Sequence, residues 1–172
     1  NRNEDAWDYN SRGELLNLLS TVCSNGGNLL LDIGPTADGR IPPIMQERLL
    51  QIGEWLSANG KAIYGTSASP FWPRKFEWGV CTGKDQTVYL HLFDQSVSNL
   101  KIQGIGNEIE SIKYLATGEN LKFKKSKDNL LINLTSVKPD ADVSIVELIL
   151  KGAVKIDKRP YPFENNKTVI PS

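Results

Sequence analysis

The run Asn28-Leu29-Leu30-Leu31-Asp32-Ile33-Gly34 decides the fold. It is nearly continuous in apolar residues, whereas a strand with one wet face alternates apolar and polar. Continuous apolar strands are buried on both faces, and parallel sheets are where they live. A single strand satisfies neither its own backbone groups nor both of its faces. Leu29 to Ile33 therefore reads as an orphan that needs neighbouring parallel strands. On this reading, solvent exposure of these five residues, or their pairing inside an all-antiparallel fold built from this chain alone, overturns a barrel-enzyme assignment.

Outward from that run, Gly34-Pro35-Thr36-Ala37-Asp38-Gly39 is a loop by its turn residues. Pro42-Pro43 opens a helix, since proline is tolerated where the first-turn N–H has no helical partner. Met45, Leu49, Ile52 and Leu56 recur at helical spacing with Trp55 beside them, and Asn59-Gly60 ends the helix. Upstream, Ser11-Arg12-Gly13-Glu14 has the spacing of a capping box. Leu15, Leu18, Leu19 and Val22 then form one apolar stripe, and Asn25-Gly26-Gly27 stops the helix. The spacing predicts a helix over 12–24.

From about Phe76 onward the period changes to two. Thr87 to Phe93 puts Val88, Leu90 and Leu92 on one face and Tyr89, His91 and Phe93 on the other. Further short strands are expected at Leu100–Ile102, Ile109–Leu115, Leu121–Phe123, Leu130–Leu134 and Val143–Leu150, with turn residues between them. Such spacing marks an antiparallel sandwich or barrel. The expected organisation is an α/β portion over 1–66, a linker over 67–75, an all-β domain over 76–152 and an irregular tail over 153–172. Phe71 and Trp72 in the linker read as packing across the junction rather than as sugar platforms.

Composition excludes several functions. Of 172 residues, 20 are Lys or Arg and 20 are Asp or Glu, so the formal net charge is +0. That balance offers no basic stripe for general nucleic-acid binding. No run of 18 apolar residues is present, so no transmembrane helix is expected. The polar start Asn1-Arg2-Asn3-Glu4-Asp5 is no signal peptide and reads like the middle of a protein. Two Cys and one His cannot furnish a usual Cys/His zinc site, and no cofactor is expected. Cys23 reads as a small buried hydrophobe, and a Cys23–Cys81 bridge is left open.

The stretch from Asn25 to Pro43, NGGNLLLDIGPTADGRIPP, resembles the end of the catalytic domain of α-L-fucosidases, glycoside hydrolase family 29. The likeness continues through Gln46–Leu49, Gly53–Leu56, Asn59-Gly60 and Ala62–Thr66, and Asn1–Asp5 resembles the family's preceding segment. The β-half resembles the family's C-terminal sandwich by position and strand pattern only. The resemblance implies a (β/α)8-like barrel followed by a β-sandwich, with Asn28–Ile33 as last barrel strand and Pro43–Ala58 as last helix. It implies a retaining exo-enzyme acting on terminal α-L-fucose of glycans, placed in secreted, periplasmic or lysosomal settings. Retention needs two carboxyl groups ~5–5.5 Å apart. In the family, the Asp nucleophile and Glu acid/base precede the segment matched here, so no catalytic residue is expected in these 172 residues. The expected partner is then an upstream barrel segment of the same enzyme.

Candidate residues within the chain are those at the C-terminal end of the strand, where barrel enzymes carry their chemistry. Asp32, Gly34, Pro35, Thr36 and Trp7 are the expected rim of a substrate site. Asp38 reads as a turn residue, Glu47-Arg48 and Glu54 as a solvated face or local ion pairs, and His91 as a packed, hydrogen-bonded side chain. Trp7 and Tyr9 read mainly as anchors of the opening loop. Asn133-Leu134-Thr135 and Asn166-Lys167-Thr168 match the glycosylation sequon. The competing reading is a carbohydrate-binding or barrel-stabilising β-module resting on Trp78, Tyr89 and Tyr114, with 76–152 folding alone.

Overall fold

The computed structural model describes residues 8–157. Helix α1 spans Arg12–Ser24 and α2 spans Pro43–Asn59, followed by a 3-10 turn at Gly60–Ala62. The capping box forms as the sequence predicts. The Glu14 N–H donates to Ser11 Oγ at 3.2 Å, and the Ser11 N–H donates to Glu14 Oε2 at 2.7 Å. Eight strands follow: β1 Gly79–Lys84, β2 Thr87–Leu92, β3 Asn99–Gln103, β4 Ile109–Tyr114, β5 Glu119–Asn120, β6 Phe123–Ser126, β7 Asn129–Asn133 and β8 Ser144–Leu150. They form two antiparallel sheets, ordered β1-β2-β8-β4-β5 and β3-β7-β6.

One apolar cluster fills the space between the sheets, with Val88, Leu90, Leu100, Ile102, Leu130, Ile132, Val146 and Leu148 all buried. A second cluster lies on the other side of the five-stranded sheet. There Leu16, Trp55 and Ala62 from the helical segment pack on Tyr89, Val143 and Ile145. The predicted alternation of β2 thus feeds two cores, one per face, as period two requires. The helices form a layer on that sheet.

Three expectations are corrected. First, Asn28 to Pro35 carries no ladder, and Leu30 is 90% exposed. The segment is not the doubly buried strand its composition predicts, because none of the described strands pairs with it. Second, α1 packs its residues Leu16, Ser20 and Ser24 on the sheet, while Leu18 of the predicted stripe is 43% exposed. The stripe and the sheet-facing side are two different faces of one helix. Third, the strand expected at 121–123 is instead a crossover. Glu119–Asn120 pairs with β4 in one sheet, and Phe123–Ser126 pairs with β7 in the other. Strand β1 is an addition to the expected set, and it turns into β2 at Asp85-Gln86.

The segment joining the helices to the sheets is held at both ends. Ser69 N–H donates to Ser24 O at 2.8 Å, and Ser67 bridges Gly83 of β1. Phe71 is buried edge-on to Phe76, with ring centroids 5.2 Å apart, whereas Trp72 is exposed. Both cysteines are free thiols; Cys81 is buried and Cys23 only partly so. The rest of the tail, including the sequon at Asn166, lies outside the described residues.

Candidate functional site

The loop after Ile33 closes on itself. Thr36 N–H donates to Arg40 O at 2.8 Å, Arg40 N–H donates to Thr36 Oγ1 at 3.1 Å, and Gly39 N–H donates to Thr36 O at 2.8 Å. Gly39 takes φ +79°, which its missing Cβ allows. Asp38 accepts from Thr36 Oγ1 at 2.5 Å and from Arg40 Nε at 2.7 Å. The Thr36 hydroxyl and then the Arg40 side chain hold its carboxyl below the ordinary range. A carboxylate kept ionised in this way cannot lend a proton as a general acid. Asp38 is a turn residue, as expected.

Of the expected rim residues, Asp32 lines a 170 Å³ cavity with Tyr9, Leu15, Ile33, Arg48 and Leu49. Gly34, Pro35 and Thr36 are exposed and stand outside that cavity. Trp7 lies outside the described residues. The sequence reading missed Arg48 as a cavity residue. It pairs locally with Glu47 and Gln51, both at 3.1 Å, as a surface arginine would. Its Nε also donates to Asn10 O at 3.1 Å, fixing the opening segment to α2. No local signal announces a contact 38 residues away in the chain.

His91 is fully buried and bonded at both ring nitrogens, to Ser20 Oγ and to Thr82 Oγ1, each at 3.0 Å. Thr82 Oγ1 donates its own proton to Ala62 O at 2.7 Å. It must then accept from His91 Nε2–H, leaving Nδ1 to accept from the Ser20 hydroxyl. Burial pushes the imidazole down to about 3, so the ring is neutral. It joins α1, β1, β2 and the turn after α2. Among the described residues no group of three or more His, Cys, Asp or Glu is arranged to hold a metal ion, and no helix is long and apolar enough to cross a membrane.

Comparison with known proteins gives one consistent family. Residues 1–61 match the family described as Alpha-L-fucosidase. Tissue alpha-L-fucosidase of Homo sapiens is 39% identical over 142 residues, which cover 78% of this chain and 30% of that protein. Alpha-L-fucosidase of Dictyostelium discoideum is 36% identical over 143 residues, covering 83% of this chain and 30% of that one. Among solved structures, alpha-L-fucosidase isoenzyme 1 from Paenibacillus thiaminolyticus superposes with TM-score 0.75 at 30% identity, covering 84% of this chain and 35% of that one. The Thermotoga maritima alpha-fucosidase in complex with fucose gives TM-score 0.71 at 34% identity, covering 87% and 37%. The chain therefore spans about 30% of the length of these curated relatives. Leu30, Leu31 and Asp32 are exposed, the outcome expected to overturn a barrel enzyme; it does not, because sequence and fold agree with the family over about four-fifths of the chain. The chain belongs to the α-L-fucosidase family, glycoside hydrolase family 29.

Proposed function

We propose that this chain is the C-terminal part of a retaining α-L-fucosidase that removes terminal α-L-fucose from glycans. Residues 1–66 are the last portion of a (β/α)8-like barrel, 67–75 a junction, 76–152 a β-sandwich and 153–172 a tail. The observation that carries the reading is agreement of sequence and fold with α-L-fucosidases over about four-fifths of this chain, which spans only about 30% of those proteins. The exposed Leu18, Leu49 and Leu50 on the helices support it, since they supply apolar area for a further layer. The nucleophile Asp and acid/base Glu belong to polypeptide upstream, and the two carboxyl groups must lie ~5–5.5 Å apart for retention. This chain contributes the closing strand, the self-bonded loop after it and, at its rim, Asp32. The enzyme works outside the cytosol, in secreted, periplasmic or lysosomal settings.

The test is complementation. The chain, co-expressed with the upstream segment of its parent protein, should form a soluble complex that releases aryl alcohol from an aryl α-L-fucoside. A soluble, associated and inactive pair would contradict the assignment. No observation favours the alternative of a binding module built on Trp78, Tyr89 and Tyr114. Tyr89 and Tyr114 are buried, and Trp78 stacks on Phe76 at 4.6 Å.

A further inference from the structure

A cavity of 380 Å³ lies where the C-terminal end of α1, the junction segment and strand β1 meet. Its size is that of a small-molecule site, about 300–1,000 Å³. The floor is the open edge of β1. Gly83 exchanges both backbone hydrogen bonds with Ser67, at 2.7 and 3.2 Å, and the Gly79 N–H donates to Phe76 O at 3.4 Å. These bonds point away from β2. Backbone groups of successive strand residues turn to opposite sides, so Cys81, midway between the two glycines, turns its N–H and C=O the same way, toward the cavity it lines. Cys81 is 1% exposed, and neither group has a hydrogen-bond partner among the described residues. Buried backbone groups are almost always paired, so this open pair points to a ligand. An added peptide strand does not fit, because Ser67 and Phe76 close the edge on either side and leave only one residue's groups open.

Trp72, Lys75, Glu77 and Asn25 also line the cavity. Trp72 is 59% exposed, although its place in the junction predicts packing. Trp72, Lys75 and Glu77 make no side-chain hydrogen bond or ion pair among the described residues, and Asn25 uses only its Nδ2, on Thr21 O at 2.9 Å. Arg74 is already committed: its Nη1 donates to Gln103 O at 2.7 Å, and its guanidinium lies over the Phe71 ring. We propose that this cavity binds a neutral pyranose ring of a glycan, with the apolar C–H face of the ring on the Trp72 indole and its hydroxyls on Glu77, Lys75, Asn25 and the Cys81 backbone pair. A hydroxyl both donates and accepts, so adjacent hydroxyls satisfy an N–H and a C=O together, which a bare anion or cation does not. Lys75 and Glu77 offset each other in charge, which favours an uncharged ligand. The inference takes from the preceding reading only that the parent enzyme works on glycans.

The test is saturation-transfer NMR on the full chain with N-acetyllactosamine as probe, followed by titration read from the Trp72 indole N–H resonance. Saturation should reach the C–H protons of one ring face, and the indole resonance should move saturably. Trp72→Ala should weaken binding at least about tenfold, Trp72→Phe should keep most of it, and Glu77→Gln should weaken it several-fold. Tyr64→Ala removes a comparably exposed aromatic outside the cavity and should bind like wild type. Unchanged circular dichroism certifies each variant. Absence of transfer overturns the proposal, as does equal loss in Trp72→Ala and Tyr64→Ala. So does tighter binding of glucuronate or glucosamine than of the neutral sugar. Binding that vanishes in the complex with the upstream segment would overturn it too, because the barrel would then be what covers Trp72. None of these outcomes touches the hydrolase assignment, which release of aryl alcohol tests separately.

Discussion

Thr82 fixes the state of His91, and with it a pH dependence. Its hydroxyl proton is committed to Ala62 O, so the imidazole is a neutral Nε2–H tautomer wedged between Thr82 and Ser20. An unfolded imidazole gains its proton near 6.5, whereas this one does so only at about 3 because it is buried. Below 6.5 the unfolded state therefore binds more protons. The stability tied to His91 is complete above that value and falls as pH drops toward about 3. Chemical denaturation should show about 2 kcal/mol lost from this group between about pH 7 and pH 5. His91→Gln should be less stable at neutral pH yet lack that part of the slope. Identical slopes for the two proteins would show that the ring is not the titrating group. The sequence pointed correctly to a packed histidine, from its place between Tyr89 and Phe93 on one strand face. It could not supply Ser20, which lies 71 residues away.

Elements were legible where a local rule fixes them and illegible where packing does. The capping box and the Asn-Gly-Gly stop set α1 to the residue, since both depend on backbone groups within a few positions. Its orientation was misread, because the leucines marked the obvious stripe. The sheet takes the other side, where Ser20 and Ser24 let the backbone approach and Gly13 lies against Asp142. A Cβ at Gly13 would sit 2.6 Å from the Asp142 carboxylate, while Arg12 donates to both Asp140 and Asp142. Strand β1 escaped notice because two glycines and a buried threonine blur its alternation. One of those glycines is indispensable. Gly79 has φ +150°, and a Cβ there would lie 1.8 Å from the His91 carbonyl oxygen. Gly79→Ala should cost at least about 3 kcal/mol, as a strained conformation and a backbone clash together. A melting temperature within a degree or two of wild type would show that β1 can move aside.

At the scale of the whole molecule, helices and sheets share one interior. Tyr89, Val143 and Ile145 are covered by Leu16, Trp55 and Ala62, and the Trp55 indole N–H donates to Val143 O at 2.8 Å. A fragment of residues 76–157 would expose that face of the five-stranded sheet. It should bind a hydrophobic dye strongly or precipitate, whereas the full chain should not. A soluble, cooperatively unfolding fragment would instead support the independent β-domain read from the sequence. Leu29–Ile33 has the makeup of a doubly buried strand, yet Leu30, Leu31 and Asp32 are exposed and no described strand pairs with the segment; the proposed upstream barrel supplies the missing partners. Amide hydrogen exchange over Leu29–Ile33 tests this most directly. The five amides should exchange at near-unfolded rates in the chain alone and become protected by at least about a hundredfold in the active complex with the upstream segment. Fast exchange persisting in a soluble, active complex would contradict the account.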